Sequence, residues 1–328
     1  MEAEAVACAN VALVKYWGKR DAEANLPAVG SISLTLAGLE ARARISRRTA
    51  IRFSRDGEPI TGTAGERMSA YLDWLSATQG DGSVLSVDIS ANFPVAAGLA
   101  SSAAIYCAVA TAATSALGSR LTRRELSAIA RRGSGSAARS VFGGLVEWHL
   151  GIVPDGSDSV AEALAAAGDW DLAMAVVVLE EGMKKTSSRD AMEHVARSSP
   201  LYPAWVDNQQ ADIAAMREAI EARDFARVGT ITEENTLRMH ATTLAARPPV
   251  FYWKPETLRV MEEVHSLRSE GTQAFFTMDA GPQVKVLVEG ESLGRVVERL
   301  QGLPGVRRVL TARPGPGVRM LSGDEPWS

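Results

Sequence analysis

The stretch NFPVAAGLASSAAIYCAVATAA, residues 92 to 113, constrains this chain more than any other. A proline and a glycine-bearing turn are followed by two serines and a long run of tiny side chains, poor in the bulk that normally fills a core. Two physical readings fit. Small residues let a helix lie close against a sheet, and they also let an anion approach unpaired N–H groups at a helix N-terminus. The Walker lysine is absent, so spacing alone leaves both open. A helix is expected from about residue 98 to 117.

The flanking pattern sets the fold class. Strand-like runs at VACANVALVKY, SISLTL, ARARISRR, AIRFSR and VLSVDIS dominate the first ninety residues, and Asp56-Gly57 is a hairpin signal. LTRRELSAIARR reads as a second helix, with Thr122 and Glu125 placed as a capping box. GSGSAARSVFGGLVEWHLG ends in a strand-like LVEWHL, and AMAVVVL at 173 to 179 reads as a buried strand. Amphipathic segments follow near 205 to 223 and 225 to 245. Pro255 stands at a first helical position, and QAFFTMDAGPQVKVLVE reads strand, tight loop, strand. A helix at 291 to 302 and a strand at 306 to 312 complete an α+β chain. The change of character after residue 179 puts a domain boundary near 180, giving domains 1–180 and 181–328.

With 328 residues the chain can build about two domains, each with its own core, or one large α/β domain. The net charge is −4, and lysines and arginines are scattered, which excludes a nucleic-acid footprint and leaves any anion to local groups. Cys8 and Cys107 form neither a disulfide framework nor a metal spacing, which suits a reducing, cytoplasmic setting. The N-terminus is acidic where a signal peptide is basic, and no segment reaches the apolar length of a membrane span.

Four donor-rich clusters stand out. NVALVKYWGKRD places Lys15, Lys19 and Arg20 around Tyr16 and Trp17. If the strand continued that far, Lys15, Trp17 and Lys19 would share a face, as an anion clamp or as a solvated strand end. RRGSGSAARS offers Ser134, Ser136 and Arg139, with Arg139 sharing a face with Ser136 if a helix begins there. KKTSSRD offers Lys184, Lys185, Ser187, Ser188 and Arg189, and reads equally as a polar linker. The glycine turn before Ser101 and Ser102 is the fourth. In FFTMDAGPQ, Asp279 ends a buried strand, either capping its own turn or aiming at a reacting hydroxyl. His149, His194, His240 and His265 lack metal-ligand spacing and read as structural or surface residues, and Trp74, Trp205 and Trp253 as core or interface.

Taken in order, NVALVKYWGKRD, SISLTL, NFPVAAGLASSAA, RRGSGSAARSVFGGLVEW, TSSRD and FTMDAGP resemble the diphosphomevalonate decarboxylases of the GHMP kinase superfamily over nearly the whole chain. The resemblance implies a ribosomal-S5-like N-terminal domain, a ferredoxin-like C-terminal domain and an active site in the cleft between them. It implies ATP- and Mg²⁺-dependent phosphorylation of the C3 hydroxyl of mevalonate 5-diphosphate, then loss of phosphate and CO₂ to give isopentenyl diphosphate, by a homodimer. Asp279 matches the catalytic aspartate, Arg139 the arginine on the substrate carboxylate, and Lys15 the lysine steadying charge near the hydroxyl. Tyr16, Lys19, Ser134, Ser136, Ser188 and Arg189 match positions around the substrate. Asn10, Pro94, Gly98, Leu99, Ala100, Ser101 and Ser102 match the ATP-phosphate region, with Ser102 also catalytic and the metal contact. Two departures stand out: Val29-Gly30 replaces an Asn/Ser pair, and Gln283 ends DAGPQ where relatives read DAGPN. Both are expected to reshape the pocket. Arg67 either touches substrate or sits on a helix surface. A phosphomevalonate decarboxylase, a C3 kinase that stops at phosphorylation, and a non-catalytic ligand sensor are the alternatives.

Overall fold

The computed structural model describes residues 2–47, 52–93, 101–180, 187–322 and 325. The first half comprises β1 (Ala3–Val14), β2 (Lys19–Asp21), β3 (Leu26–Pro27), β4 (Ser31–Ser46), β5 (Phe53–Arg55), β6 (Glu58–Pro59), α1 (Gly62–Gln79), β7 (Ser86–Ala91), α2 (Ser101–Ala116), α3 (Arg123–Gly133), α4 (Ala137–Ser140), β8 (Leu145–Trp148) and β9 (Ala161–Ala165). The second comprises β10 (Leu172–Val178), α5 (Ser188–Ser198), α6 (Tyr202–Glu221), α7 (Phe225–Leu244), α8 (Pro255–Ser269), β11 (Ala274–Met278), β12 (Val284–Glu289), α9 (Leu293–Gln301), β13 (Arg308–Ala312) and β14 (Arg319–Met320).

In the first sheet the order is β14-β1-β4-β7-β5-β6, with β8 pairing β4 and β9 pairing β8. SISLTL and ARARIS, read as two strands, are one strand, β4, whose pairing with β1 shifts register between Cys8 and Ala9. The Asp56-Gly57 turn closes the β5–β6 hairpin with φ of 51° and 82°, the double positive φ that this sequence favours. α2 packs along β1 and β4. Its buried Ala103, Ala104, Ala108 and Ala112 bring the helix axis near the sheet, which accounts for most of the small-residue run. α3 begins with the Thr122–Glu125 capping box.

The second sheet runs β11-β12-β10-β13, all neighbours antiparallel. With helices between its first and second and its third and fourth strands, this is the ferredoxin-like β-α-β-β-α-β arrangement. β10 therefore belongs to this sheet, and β14 returns to the first. Sheet membership changes between β9 and β10 rather than at residue 180, because a strand apolar on both faces reads the same in either domain. Leu172, Met174 and Val176 join the larger core, whereas Ala173, Ala175 and Val177 face α8 and α9.

Two helices were not foreseen. α1 carries Met68, Tyr71, Leu72 and Leu75 at helical spacing, but Gly62, Gly65 and an N-terminus without a side-chain cap dilute the signal among strands. α5 starts where a linker was one reading, with the Ser187 hydroxyl accepting from Asp190 N–H as its cap. Among the described residues no helix is long and apolar enough to cross a membrane.

Candidate active site

β11 ends at Met278, and Asp279 opens the tight turn into β12. The Asp279 carboxylate lies between two ammonium groups, with Lys15 Nζ 2.9 Å from Oδ1 and Lys285 Nζ 3.0 Å from Oδ2. Burial pushes this carboxyl up, but Lys15 and Lys285 together outweigh it and hold Asp279 well below the usual carboxylate range. Burial lowers the Lys15 ammonium to about 8, against the pull of Asp279 and with Lys285 and Arg139 adding to the drop. Lys15 Nζ also donates to Ala12 O at 2.8 Å, leaving a third hydrogen toward the cavity. Lys285 escaped the sequence reading. Its signal is a lysine alternating with Val284 and Val286 in a buried strand, a place where charge survives only when paired.

β1 stops at Val14, so strand alternation does not reach Lys15, Tyr16, Trp17 and Lys19, and all four line one cavity. Tertiary bonds hold the irregular turn instead. Lys15 N donates to Asn235 Oδ1 at 2.8 Å, Gln209 Nε2 to Lys15 O at 2.7 Å, and Trp205 Nε1 to Trp17 O at 3.2 Å. Thr277 Oγ1 donates to Ala12 O at 3.2 Å, binding the Asp279 strand to the end of β1.

α4 does begin at Ala137, with Ser136 as its N-cap, and buries Arg139. Its Nε and Nη2 donate to Asn10 Oδ1 at 3.2 and 3.0 Å, and Nη1 donates to Ser31 Oγ at 2.6 Å. One hydrogen remains on each terminal nitrogen, the fork that a carboxylate fits. Burial lowers this guanidinium to about 10, so it stays charged. Asn10, expected beside the nucleotide, lines the cavity and also holds Arg139, with its Oδ1 accepting from the guanidinium and its Nδ2 donating to Ser140 Oγ and Ser136 O.

The cavity measures about 430 Å³ and lies between the two sheets' helices. Lys19, Arg67 and Arg189 supply three cations, and among the described residues none of them forms an ion pair. Lys19 Nζ donates to Asn25 Oδ1 at 2.6 Å, which Arg189 Nη2 approaches at 3.4 Å. Burial, then Arg189, lowers the Lys19 ammonium to about 8. Arg67 is thus resolved as a cavity residue on α1. The N-termini of α2 and α5 bring Ser101, Ser102, Ser187 and Ser188 to the same space, with Ser134 Oγ 3.3 Å from Ser102 Oγ and 3.4 Å from Ser136 Oγ. Met192, Met239 and Tyr106, which the sequence did not single out, add apolar wall.

Pro94, Gly98, Leu99, Ala100, Lys184 and Lys185 lie outside the described residues. The two departures lie away from the cavity lining: Val29 is buried in the cluster that holds Trp17 and Trp205, Gly30 packs on Ile213 and Trp148, and Gln283 bonds the end of β10. None of the three residues lines the cavity, so they reach its shape only through the residues they pack behind. His240 is buried against Tyr252 and Trp253, and burial lowers its imidazole to about 3, so it is neutral at working pH. Among the described residues no group of three or more His, Cys, Asp or Glu is arranged to hold a metal.

A carboxylate fixed by two lysines, an arginine fork and a tripolar cationic wall suit a substrate bearing a hydroxyl, a carboxylate and phosphates. Comparison with known proteins agrees. Residues 7–161 match the diphosphomevalonate decarboxylase-like N-terminal domain, and residues 174–310 match the mevalonate 5-diphosphate decarboxylase C-terminal domain. Diphosphomevalonate decarboxylase of Gibberella zeae is 34% identical over 93% of this chain and 86% of its own. Mevalonate diphosphate decarboxylase of Staphylococcus aureus superposes with a TM-score of 0.92 at 37% identity, covering 98% of both chains. The structure named MDDEF in complex with MVAPP, AMPPCP and magnesium gives 0.91 at 38% identity, covering 98% of this chain and 99% of that one. On sequence, fold and site geometry together, this chain belongs to the diphosphomevalonate decarboxylase family of the GHMP kinase superfamily.

Proposed function

We propose that this chain catalyses the ATP-dependent decarboxylation of mevalonate 5-diphosphate to isopentenyl diphosphate. The observation that carries the reading is the Asp279 carboxylate held between Lys15 and Lys285 in a cavity that also presents Arg139, Lys19, Arg67 and Arg189. Asp279 accepts the C3 hydroxyl's hydrogen bond and aims the hydroxyl oxygen at the γ-phosphorus of ATP. The new O–P bond forms as the γ-phosphorus bond to the ADP oxygen breaks with its electron pair leaving on ADP, and the hydroxyl proton is shed to Asp279 as the bond forms. A carboxylate between two ammonium groups is a weak base, so alignment is its main contribution, as phosphoryl transfer requires. The C3–O bond then breaks with its electron pair leaving on phosphate. The bond to the carboxylate breaks to form the new double bond, releasing CO₂.

Arg139 orients that carboxylate. Pairing that strengthened before the transition state would slow its departure, so positioning is its role. Met192, Met239 and Trp17 wall the cavity with apolar surface, limiting capture of an electron-deficient C3 by water. Ser101 and Ser102 provide hydroxyls at the α2 N-terminus for the ATP phosphates, and Ser134 and Ser136, beside Ser102, provide hydroxyls for the substrate. Mg²⁺ neutralises phosphate charge when bound. It keeps few protein ligands beside phosphates, and the Ser102 hydroxyl fits that donor set.

Three cations favour the diphosphate over the monophosphate, and the arginine fork favours decarboxylation over a kinase that stops early. The same reading carries a homodimer, supported by the family resemblance, and a cytoplasmic enzyme, supported by free Cys8 and Cys107, whose thiols burial pushes well up. The test is CO₂ release coupled to ADP formation with ATP and Mg²⁺, offering mevalonate, its monophosphate and its diphosphate in parallel. Release selective for the diphosphate is expected; ADP without CO₂, or monophosphate preference, would replace the reading with a rival. Asp279→Asn is expected to cut turnover by at least about 10²-fold in the same assay.

A further inference from the structure

The turn from Asp279 to Gln283 shows its carboxylate to the cavity and carries, behind it, a closed circuit of bonds that the reaction does not use. Gln283 is 2% exposed and does not line the cavity. Its Oε1 accepts from Leu179 N at 2.6 Å and from Glu180 N at 3.4 Å, while Nε2 donates to Glu180 O. The Glu180 carboxylate pairs with Lys254 Nζ at 2.6 Å. Lys254 N donates to Thr257 Oγ1 at 3.1 Å, and Thr257 Oγ1 donates to Pro282 O at 3.0 Å, which returns the circuit to Gln283.

The circuit has a physical cause. Pairing of β10 with β12 stops at Val177 and Val284, and Pro282 has no N–H to extend it. The Gln283 amide replaces the missing ladder, offering an acceptor to Leu179 and a donor to Glu180. An asparagine, one methylene shorter, would not span both from the same backbone position. Gln283 thereby fixes where β12 begins, and with it the level of Lys285 two residues on.

We infer that Gln283 is a positioning residue for Asp279, bracing the turn from behind so that the carboxylate stays between Lys15 and Lys285. Only the turnover arm of the test rests on the proposed function. Gln283→Leu removes the amide and its bonds, Gln283→Asn keeps an amide but shortens the reach, and Thr257→Val opens the circuit at its far side. In the free protein, NMR of lysines carrying ¹³C at Cε, with Lys15 assigned through Lys15→Arg, reads the Lys15 titration. It should fall below its starting value of about 8 in all three variants as Asp279 moves off and burial goes unopposed. In the coupled assay kcat should fall between about 10- and 100-fold, the scale of a small misplacement of reacting groups, while KM holds within about twofold.

An unmoved Lys15 titration with unchanged kcat in Gln283→Leu would overturn the inference, as would a rise in KM matching any loss of kcat. If Gln283→Leu does not fold, Thr257→Val decides by the same criteria. A shifted Lys15 titration in a protein whose unsubstituted form releases no CO₂ would keep the positioning role and remove the proposed reaction.

Discussion

Lys15, buried, and Lys19, half-buried, are both lowered chiefly by desolvation, yet they face different partners. Lys15 is lowered to about 8 beside Asp279, and Lys19 to about 8 beside Arg189. Loss of the Lys15 proton breaks the ion pair that aligns Asp279, so kcat should fall with an alkaline limb near pH 8. Loss of the Lys19 proton weakens the phosphate end, so KM should rise over the same range. Pre-steady-state pH profiles of Lys15→Arg and Lys19→Arg separate them, because a guanidinium keeps its charge: the first should carry the kcat limb upward, the second the KM limb. The sign for stability is also fixed. Between about 8 and 10.5 the unfolded chain holds the Lys15 proton that the folded chain has released, so this group makes the fold more stable as pH rises through that window. Residues with unusual chemistry for their setting, such as Asp279 and Arg139, were legible in the sequence. Lys285 was hidden because only the partner across the turn explains a lysine in a valine strand.

At the scale of elements, the N-terminal ends of α2 and α5 face the cavity. α5 begins with Ser187 capping Asp190 N–H and sets Ser188, Arg189 and Met192 on the cavity. Ser187→Ala should cost about 1 kcal/mol, the ordinary value of such a cap, and fray the turn bearing Arg189. Arg189→Met should raise KM for the diphosphate at least about tenfold with little change in kcat, and that KM difference should shrink as salt rises. Steady-state kinetics at two ionic strengths check both. Elements with strong local signals were predictable: the α3 capping box, the Asp56-Gly57 hairpin, and Pro255 at the start of α8. α1 and α5 were not, since their stability comes from packing and from a single cap rather than from propensity. The hinge in β4 was invisible for a related reason: two short patterns on either side of Gly38 join into one strand only through pairing with β1.

For the whole molecule, the two sheets are not independent bodies. β10, β11 and α7 place Met174, Phe275 and Val228 in the same core as β1, β4 and α2. Gly229 of α7 marks how close the approach is, because a Cβ there would stand 2.0 Å from the Phe275 ring. In an exposed helix Gly→Ala stabilises by about 1 kcal/mol. Here overpacking should win, and Gly229→Ala should destabilise by about 1–3 kcal/mol, measured by denaturant midpoint, with unfolding remaining a single transition. The sequence by itself determined the α+β class, most strands and helices, and many of the polar residues that line the cavity, because periodicity, capping and unusual composition are local. It could not assign β10 to its sheet, send β14 back to the first one, bring Asn10 to Arg139, or bring Lys285 to Asp279. Those outcomes depend on pairing and burial between residues far apart in the chain, and only the tertiary structure, which sets both, decided them.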